Sequence, residues 1–181
     1  MADKCVIVVD NSNIFIEGQK FSAKCKGHDG DQDPSWRIDF GKLLERLAAG
    51  RKIHAAILAG SRPPKNDSVW EEAKSNGFSV TVHDRDTQGK EKAVDTELVA
   101  QGTRVIVKAG VPMVLVVASG DRDFIPLVNV AHDEGWSVEM SAFSSAFRAT
   151  GQMATTVDKI VPLDAIFTDI GYNAFEWPFE S

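Results

Sequence analysis

Four short, largely apolar runs, each the length of a single strand and each broken off by a polar or small residue, constrain this chain more than any other feature. They are Cys5 to Val9, Ile53 to Ala59, Phe78 to Val82 and Met113 to Ala118, followed in turn by Asp10, Gly60, His83 and Ser119. Runs of this kind suit strands covered on both faces, as central strands of a parallel sheet are. Helical patterns lie between them. Phe40, Leu43, Leu44 and Leu47 follow Asp39; Val69, Trp70 and Ala73 follow a Ser68/Glu71 capping-box spacing; Val94, Leu98, Val105 and Ile106 precede the fourth run. After it, Phe124, Leu127, Val128 and Ala131 repeat at helical spacing up to Gly135, and Trp136 to Met140 alternates like a fifth strand nearer an edge.

Alternation of this kind predicts an α/β fold with a mostly parallel five-stranded sheet and helices on both faces. Numbering those strands in order of occurrence, right-handed crossovers favour the order 3-2-1-4-5. The C-terminal ends of the first and fourth strands would then lie side by side, at the crevice where open α/β sheets bind ligands.

A chain of 181 residues fits one domain, expected over residues 1–170, followed by an aromatic and acidic tail over 171–181. The tail carries Tyr172, Phe175, Trp177 and Phe179, and it is expected to dock on its own domain or else on a partner, a second copy included. Lys20 to Ser35, rich in Lys, Gly and Asp, reads as a mobile loop in which Lys20, Lys24 and Lys26 could serve a substrate flap. Cys5 and Cys25 fit neither a disulfide framework nor zinc spacing, which suits a reducing compartment, cytoplasmic or nuclear. No basic leader opens the chain and the longest apolar run, residues 111–118, is too short to span a bilayer, so a soluble protein without a membrane partner is expected. A net charge of -6 and a pI near 5.2 argue against a general polyanion-binding surface. Any nucleic-acid site must therefore be local, with its own cations.

Asp10 ends the first run in Val8-Val9-Asp10-Asn11-Ser12-Asn13, and Asp121 and Asp123 follow the fourth in Ser119-Gly120-Asp121-Arg122-Asp123-Phe124. Asp95 lies in the first turn of a helix, in Lys90-Glu91-Lys92-Ala93-Val94-Asp95. Each acid alone has an ordinary explanation, since Asp caps helices and complements their dipoles. Their convergence does not, because like charges a few ångströms apart raise one another's pKa unless a cation neutralises them. Hard oxygen donors without Cys or His suit Mg²⁺ or Mn²⁺, which activate water and steady an in-line phosphodiester displacement.

These stretches resemble the NYN domain family of the PIN-like nuclease superfamily, over most of the chain from Val6 to about Ala165. The resemblance implies a Rossmann-like sheet and metal-dependent endonucleolytic cleavage of RNA, expected to be single-stranded. Asp10, Asp95, Asp121 and Asp123 match the family's acidic positions, and Asn13 its adjacent polar one. Many relatives carry a further Asp about two helical turns after the one matched by Asp95; Gln101 stands near that place. Glu97 points, by helical spacing, away from the face of Asp95.

Substrate contacts are expected from Asn13, Ser119, Lys90, Lys92 and Arg122, then from Arg62 and Lys65. Trp70 is expected in the core, while Trp36 could be core or could stack on a base. Of His28, His54, His83 and His132, only His83 falls near the crevice. A catalytically weak or inactive module that binds RNA or a protein is the alternative, favoured by Gln101 and the acidic surface. An aspartyl phosphotransferase would need an acid where Ser12 stands, and a dinucleotide-binding enzyme a glycine-rich turn after the first strand.

Overall fold

The computed structural model describes residues 3–62, 68–84 and 92–179. Strands β1 (Lys4–Asp10), β3 (Lys52–Arg62), β4 (Ser79–Asp84), β5 (Val114–Ala118), β6 (Ser137–Ala142) and β7 (Lys159–Pro162) form one sheet in the order β4-β3-β1-β5-β6-β7. All its pairings are parallel. The five expected strands take the expected order. The sixth, β7, extends the sheet beyond β6, which is therefore interior rather than near an edge. In sequence β7 is only Lys-Ile-Val-Pro, half-buried and closed by a proline, so it carries none of the signal of a buried strand.

Side chains alternate across β1 into two cores. Ile7 and Val9 pack with Ile14, Leu43 and Trp70, the contributions of α1 (Asn11–Cys25), α2 (Phe40–Ala48) and α3 (Ser68–Ser75). Val6 and Val8 pack on the other face with Leu98 and Leu127, from α4 (Lys92–Ala109) and α5 (Ile125–Asp133). Every β1 residue from Cys5 to Asp10 is buried. The sheet is thus covered on both faces, which is why its strands read as runs and not as alternations.

The stretch expected as a mobile loop over Lys20 to Ser35 is helical as far as Cys25, because α1 continues unbroken from its cap. Its inward face is made of Gly18, Gln19, Ser22 and Ala23 below Ile14, small and polar residues that leave no apolar stripe. Gly18 is required by close approach: a Cβ there would lie 2.3 Å from the Trp36 ring. Trp36 is core. It stacks on Phe167 at 5.8 Å between centroids.

The tail docks on this same corner of the domain. Strand β8 (Gly171–Asn173), which follows the short helix α7 (Phe167–Ile170), pairs antiparallel with β2 (Trp36–Ile38), setting Tyr172 opposite Arg37. Lys26 closes the arrangement: its ammonium is 2.8 Å from the Asp33 carboxylate and donates to the Trp177 carbonyl at 2.8 Å. Trp177 also packs against His28 at 5.2 Å. A lysine held this way cannot serve a flap, and Lys20 is paired with Glu17 at 3.3 Å. Among the described residues no helix is long and apolar enough to cross a membrane.

Candidate active site

Adjacency of β1 and β5 brings their C-terminal ends together, with Val9 opposite Ala118. The next residue on each strand is polar. Asp10 caps α1, one carboxylate oxygen accepting from the Asn13 amide at 3.3 Å, and its other oxygen accepts from the Ser119 hydroxyl at 3.1 Å. The Ser119 oxygen in turn accepts from the Asp121 amide at 3.1 Å. Asn13 reaches across to take the Gly120 amide at 3.4 Å. Buried Asp10 and Ser119 therefore form a framework that fixes where the chain turns into Asp121.

Asp121 caps the single 3-10 turn Arg122–Phe124, accepting from the Asp123 amide at 2.9 Å. Asp121 is thus the capping acid of the pair, and Asp123 follows it within the turn. Asp95 arrives from the first turn of α4, which packs across β1 and β3. One carboxylate oxygen from each of Asp95, Asp121 and Asp123 lies within 4.8 Å of the other two. Asp95 and Asp121 are half-buried and Asp123 is exposed.

Charges at that separation repel by about 1 kcal/mol per pair in water and by about 3 kcal/mol at the effective dielectric of a protein surface. Three carboxylates so placed suit a group that neutralises them. Asp10 is not one of the three: its two oxygens are engaged by Asn13 and Ser119, one step back from the cluster. Ser119, expected at the substrate, is fully buried, with its hydroxyl bonded between Asp10 and Asp121.

A groove of about 560 Å³ adjoins the cluster, lined by Asn13, Asp121 and Arg122 together with Phe147, Arg148 and Gln152. Asn13 and Arg122 are thus at the groove as expected. Phe147 and Arg148 gave no signal in the sequence, because their loop reaches the cluster only through a close backbone approach. A Cβ on Gly120 would lie 2.6 Å from the Ala146 carbonyl oxygen, so only glycine lets the two loops meet.

Lys65 and Lys90 lie outside the described residues, as do the side chains of Arg62 and Lys92. Gln101 turns toward the edge strand, its amide donating to Thr81 at 2.9 Å and to Glu97 at 2.6 Å. Glu97 lies on this side too, 4.0 Å from His83. Trp70 is buried, as expected.

Comparison with known proteins agrees with this geometry. A family model described as NYN domain matches residues 11–163. The fold is similar to the crystal structure of a protein of unknown function from Vibrio parahaemolyticus, with a TM-score of 0.65, 14% sequence identity, and coverage of 94% of this chain and 97% of that one. No curated protein sequence matches.

Proposed function

The chain belongs to the NYN domain family, and from that membership together with its acid cluster we propose that it is a divalent-cation-dependent endoribonuclease. The observation that carries the reading is the meeting of Asp95, Asp121 and Asp123 within 4.8 Å. The donor set fits Mg²⁺ or Mn²⁺: all ligands are carboxylate oxygens. Octahedral ligands at about 2.1 Å from a cation sit about 3 Å apart when adjacent and about 4 Å when opposite. Small side-chain adjustments would bring the three acids to those spacings.

Asp95 and Asp121 would hold the cation from the half-buried side and Asp123 from the exposed side, leaving positions open toward the groove. Once bound, such a cation supplies an acidified water near neutral pH and offsets the charge of a phosphodiester. The protein's own work is positioning. Asp10 fixes Ser119, Ser119 fixes the Asp121 amide, and Asn13 fixes Gly120, so the cluster keeps its shape while a strand enters. Arg122, exposed beside the acids, supplies a cation for phosphate that an otherwise acidic protein needs locally.

Labelled single- and double-stranded RNA and DNA, incubated with Mn²⁺, Mg²⁺ or chelator, test the reading. Internal cleavage of RNA is expected with either cation and not with chelator, and is lost in Asp121→Asn with the fold intact. Cleavage that survives both chelator and substitution would sink the mechanism. A second reading, a binding module with reduced catalysis, is favoured by Gln101, which is bonded to Thr81 and Glu97 and adds nothing to the acids. It predicts RNA binding without cleavage under any of these conditions.

A further inference from the structure

The segment from Ser144 to Gly151 opens with a single 3-10 turn, Ser144–Ala146, and is irregular beyond it, yet it is pinned from several sides. The Ser144 amide and hydroxyl both donate to Asp164, at 2.8 and 2.5 Å, and the Ser145 hydroxyl donates to Glu17 at 2.6 Å. The Gly151 amide returns to the Arg148 carbonyl at 2.8 Å, and Ala146 sits against Gly120. A loop with this many anchors holds its shape before any ligand arrives.

What it presents is Phe147 and Arg148, which line the groove together with Asp121 and Arg122. Phe147 is half-buried, its inner side packed against the core that contains Phe124 and Leu127, which leaves the remainder of the ring toward the groove. Arg122 and Arg148 are exposed, and neither guanidinium has an ion-pair partner among the described residues. Arg37, Arg46 and Arg51 differ: each is bonded to a backbone carbonyl or a carboxylate of the protein. Two unanswered guanidinium groups around an anchored aromatic ring, beside a cluster of acids, match the chemistry of a nucleotide in a single strand. Its phosphate takes the cation, and its base takes the ring face.

We propose that Phe147 and Arg148 form a nucleotide subsite of the groove, Phe147 stacking on the base next to the scissile phosphate and Arg148 holding a flanking phosphate. The proposal deepens the nuclease reading and rests on it for the identity of the strand. It has a consequence for selectivity: a base can lie on Phe147 only when unpaired and out of the duplex stack, so the subsite selects single-stranded RNA.

Binding is the readout, so that the subsite and the catalysis fail separately. The full chain carrying Asp121→Asn, in chelator, is titrated with labelled single-stranded oligoribonucleotides, with matched oligonucleotides containing one abasic position walked along the strand, and with duplex RNA. Phe147→Ala should weaken single-strand binding about tenfold. It should leave unchanged the affinity for the oligonucleotide whose abasic position falls at the subsite, and Phe147→Tyr should restore binding. Arg148→Ala should lower the slope of log affinity against log salt by about one contact, and Arg148→Lys should keep it. Equal losses on intact and abasic strands at every position, or an unchanged salt slope, would overturn the proposal. So would tighter binding of duplex than of single strand, or no binding of any oligonucleotide. Metal-dependent cleavage by the unsubstituted chain alongside either result would leave the nuclease reading standing without the subsite.

Discussion

Asp33 and the trio of Asp95, Asp121 and Asp123 put carboxylates to opposite uses. Asp33 is fully buried and surrounded by donors. It accepts from the Ser22 hydroxyl at 2.6 Å, from the Ser35 amide and hydroxyl at 2.9 and 2.5 Å, and from the Asn173 amide at 3.1 Å, with the Lys26 ammonium at 2.8 Å. Burial works against its charge, but the hydrogen bonds from Lys26, Ser22 and Ser35 outweigh it and hold the carboxyl well below the usual carboxylate range. Of the three acids at the ends of β5 and α4, each lies within 4.8 Å of the other two, and Asp121 lines a groove. A carboxylate ringed by donors stabilises the fold. A group of carboxylates crowded together at a strand edge stabilises a ligand instead, and the fold tolerates it only because two of the three are half in water and the third is exposed.

The two kinds of site should therefore respond oppositely to loss of one charge. The largest effect belongs to activity: Asp121→Asn should lower the rate of metal-dependent RNA cleavage by about 10³-fold, which is about 4 kcal/mol of barrier. The thermal midpoint in chelator should not fall. A midpoint that drops with the activity would make Asp121 a structural acid like Asp33, and the contrast would be lost.

The reverse pattern is expected of Asp33→Asn. Removing one partner of a buried ion pair costs about 3–5 kcal/mol, and the lower end applies because Lys26 is still partly in water. Denaturant unfolding measures this loss, while the cation dependence of cleavage stays as it was. The pH dependence has a definite sign. The carboxyl is depressed in the folded state, so its contribution is complete above the unfolded value of about 3.9 and is lost as pH falls below it toward the folded value. The unsubstituted chain should lose stability more steeply than Asp33→Asn on acidification from about pH 5 downward.

This contrast was only partly legible in the sequence. Asp10 and Asp121 could be placed at neighbouring strand ends because their strands are buried on both faces, and burial writes itself as apolar runs. Asp95 could be placed because an acid in the first turn of a helix is a local signal. The difference between Asp10, which holds the framework, and the other three, which meet, was hidden, since it depends on one Ser119 hydroxyl standing between Asp10 and the Asp121 amide. Asp33 was hidden for another reason. Its partners come from α1 and its C-cap (Ser22 and Lys26), from the loop before β2 (Ser35) and from a tail more than a hundred residues away (Asn173), and no periodicity reports such a knot. The same holds for Phe147 and Arg148, whose place is set by the contact between Gly120 and Ala146 and not by their own pattern.

Cation binding sharpens the comparison further. A ligand that binds only the folded chain stabilises it by about 2.7 kcal/mol at one hundred times its dissociation constant. Mn²⁺ or Mg²⁺ should therefore raise the thermal midpoint of the unsubstituted chain. The rise should persist in Asp33→Asn and vanish when Asp121→Asn and Asp123→Asn are combined. A shift that survives the double substitution would move the cation elsewhere.

The smallest effect is the most diagnostic. Asp123 is the exposed member of the trio, and it makes two like-charge contacts within 4.8 Å. Without a cation each contact costs about 1 kcal/mol at the dielectric of water. Asp123→Asn, measured in chelator at low ionic strength, should therefore make the protein more stable by up to about 2 kcal/mol, in contrast to the loss at Asp33. The gain is electrostatic between accessible groups, so it should shrink as salt brings the screening length down to about 3 Å near 1 M. In saturating Mn²⁺ the sign should reverse, because the same substitution then removes a ligand. A loss of stability in chelator at low salt would mean that Asp123 is held by donors as Asp33 is, and the distinction between acids that build the fold and acids that wait for a ligand would not extend to it.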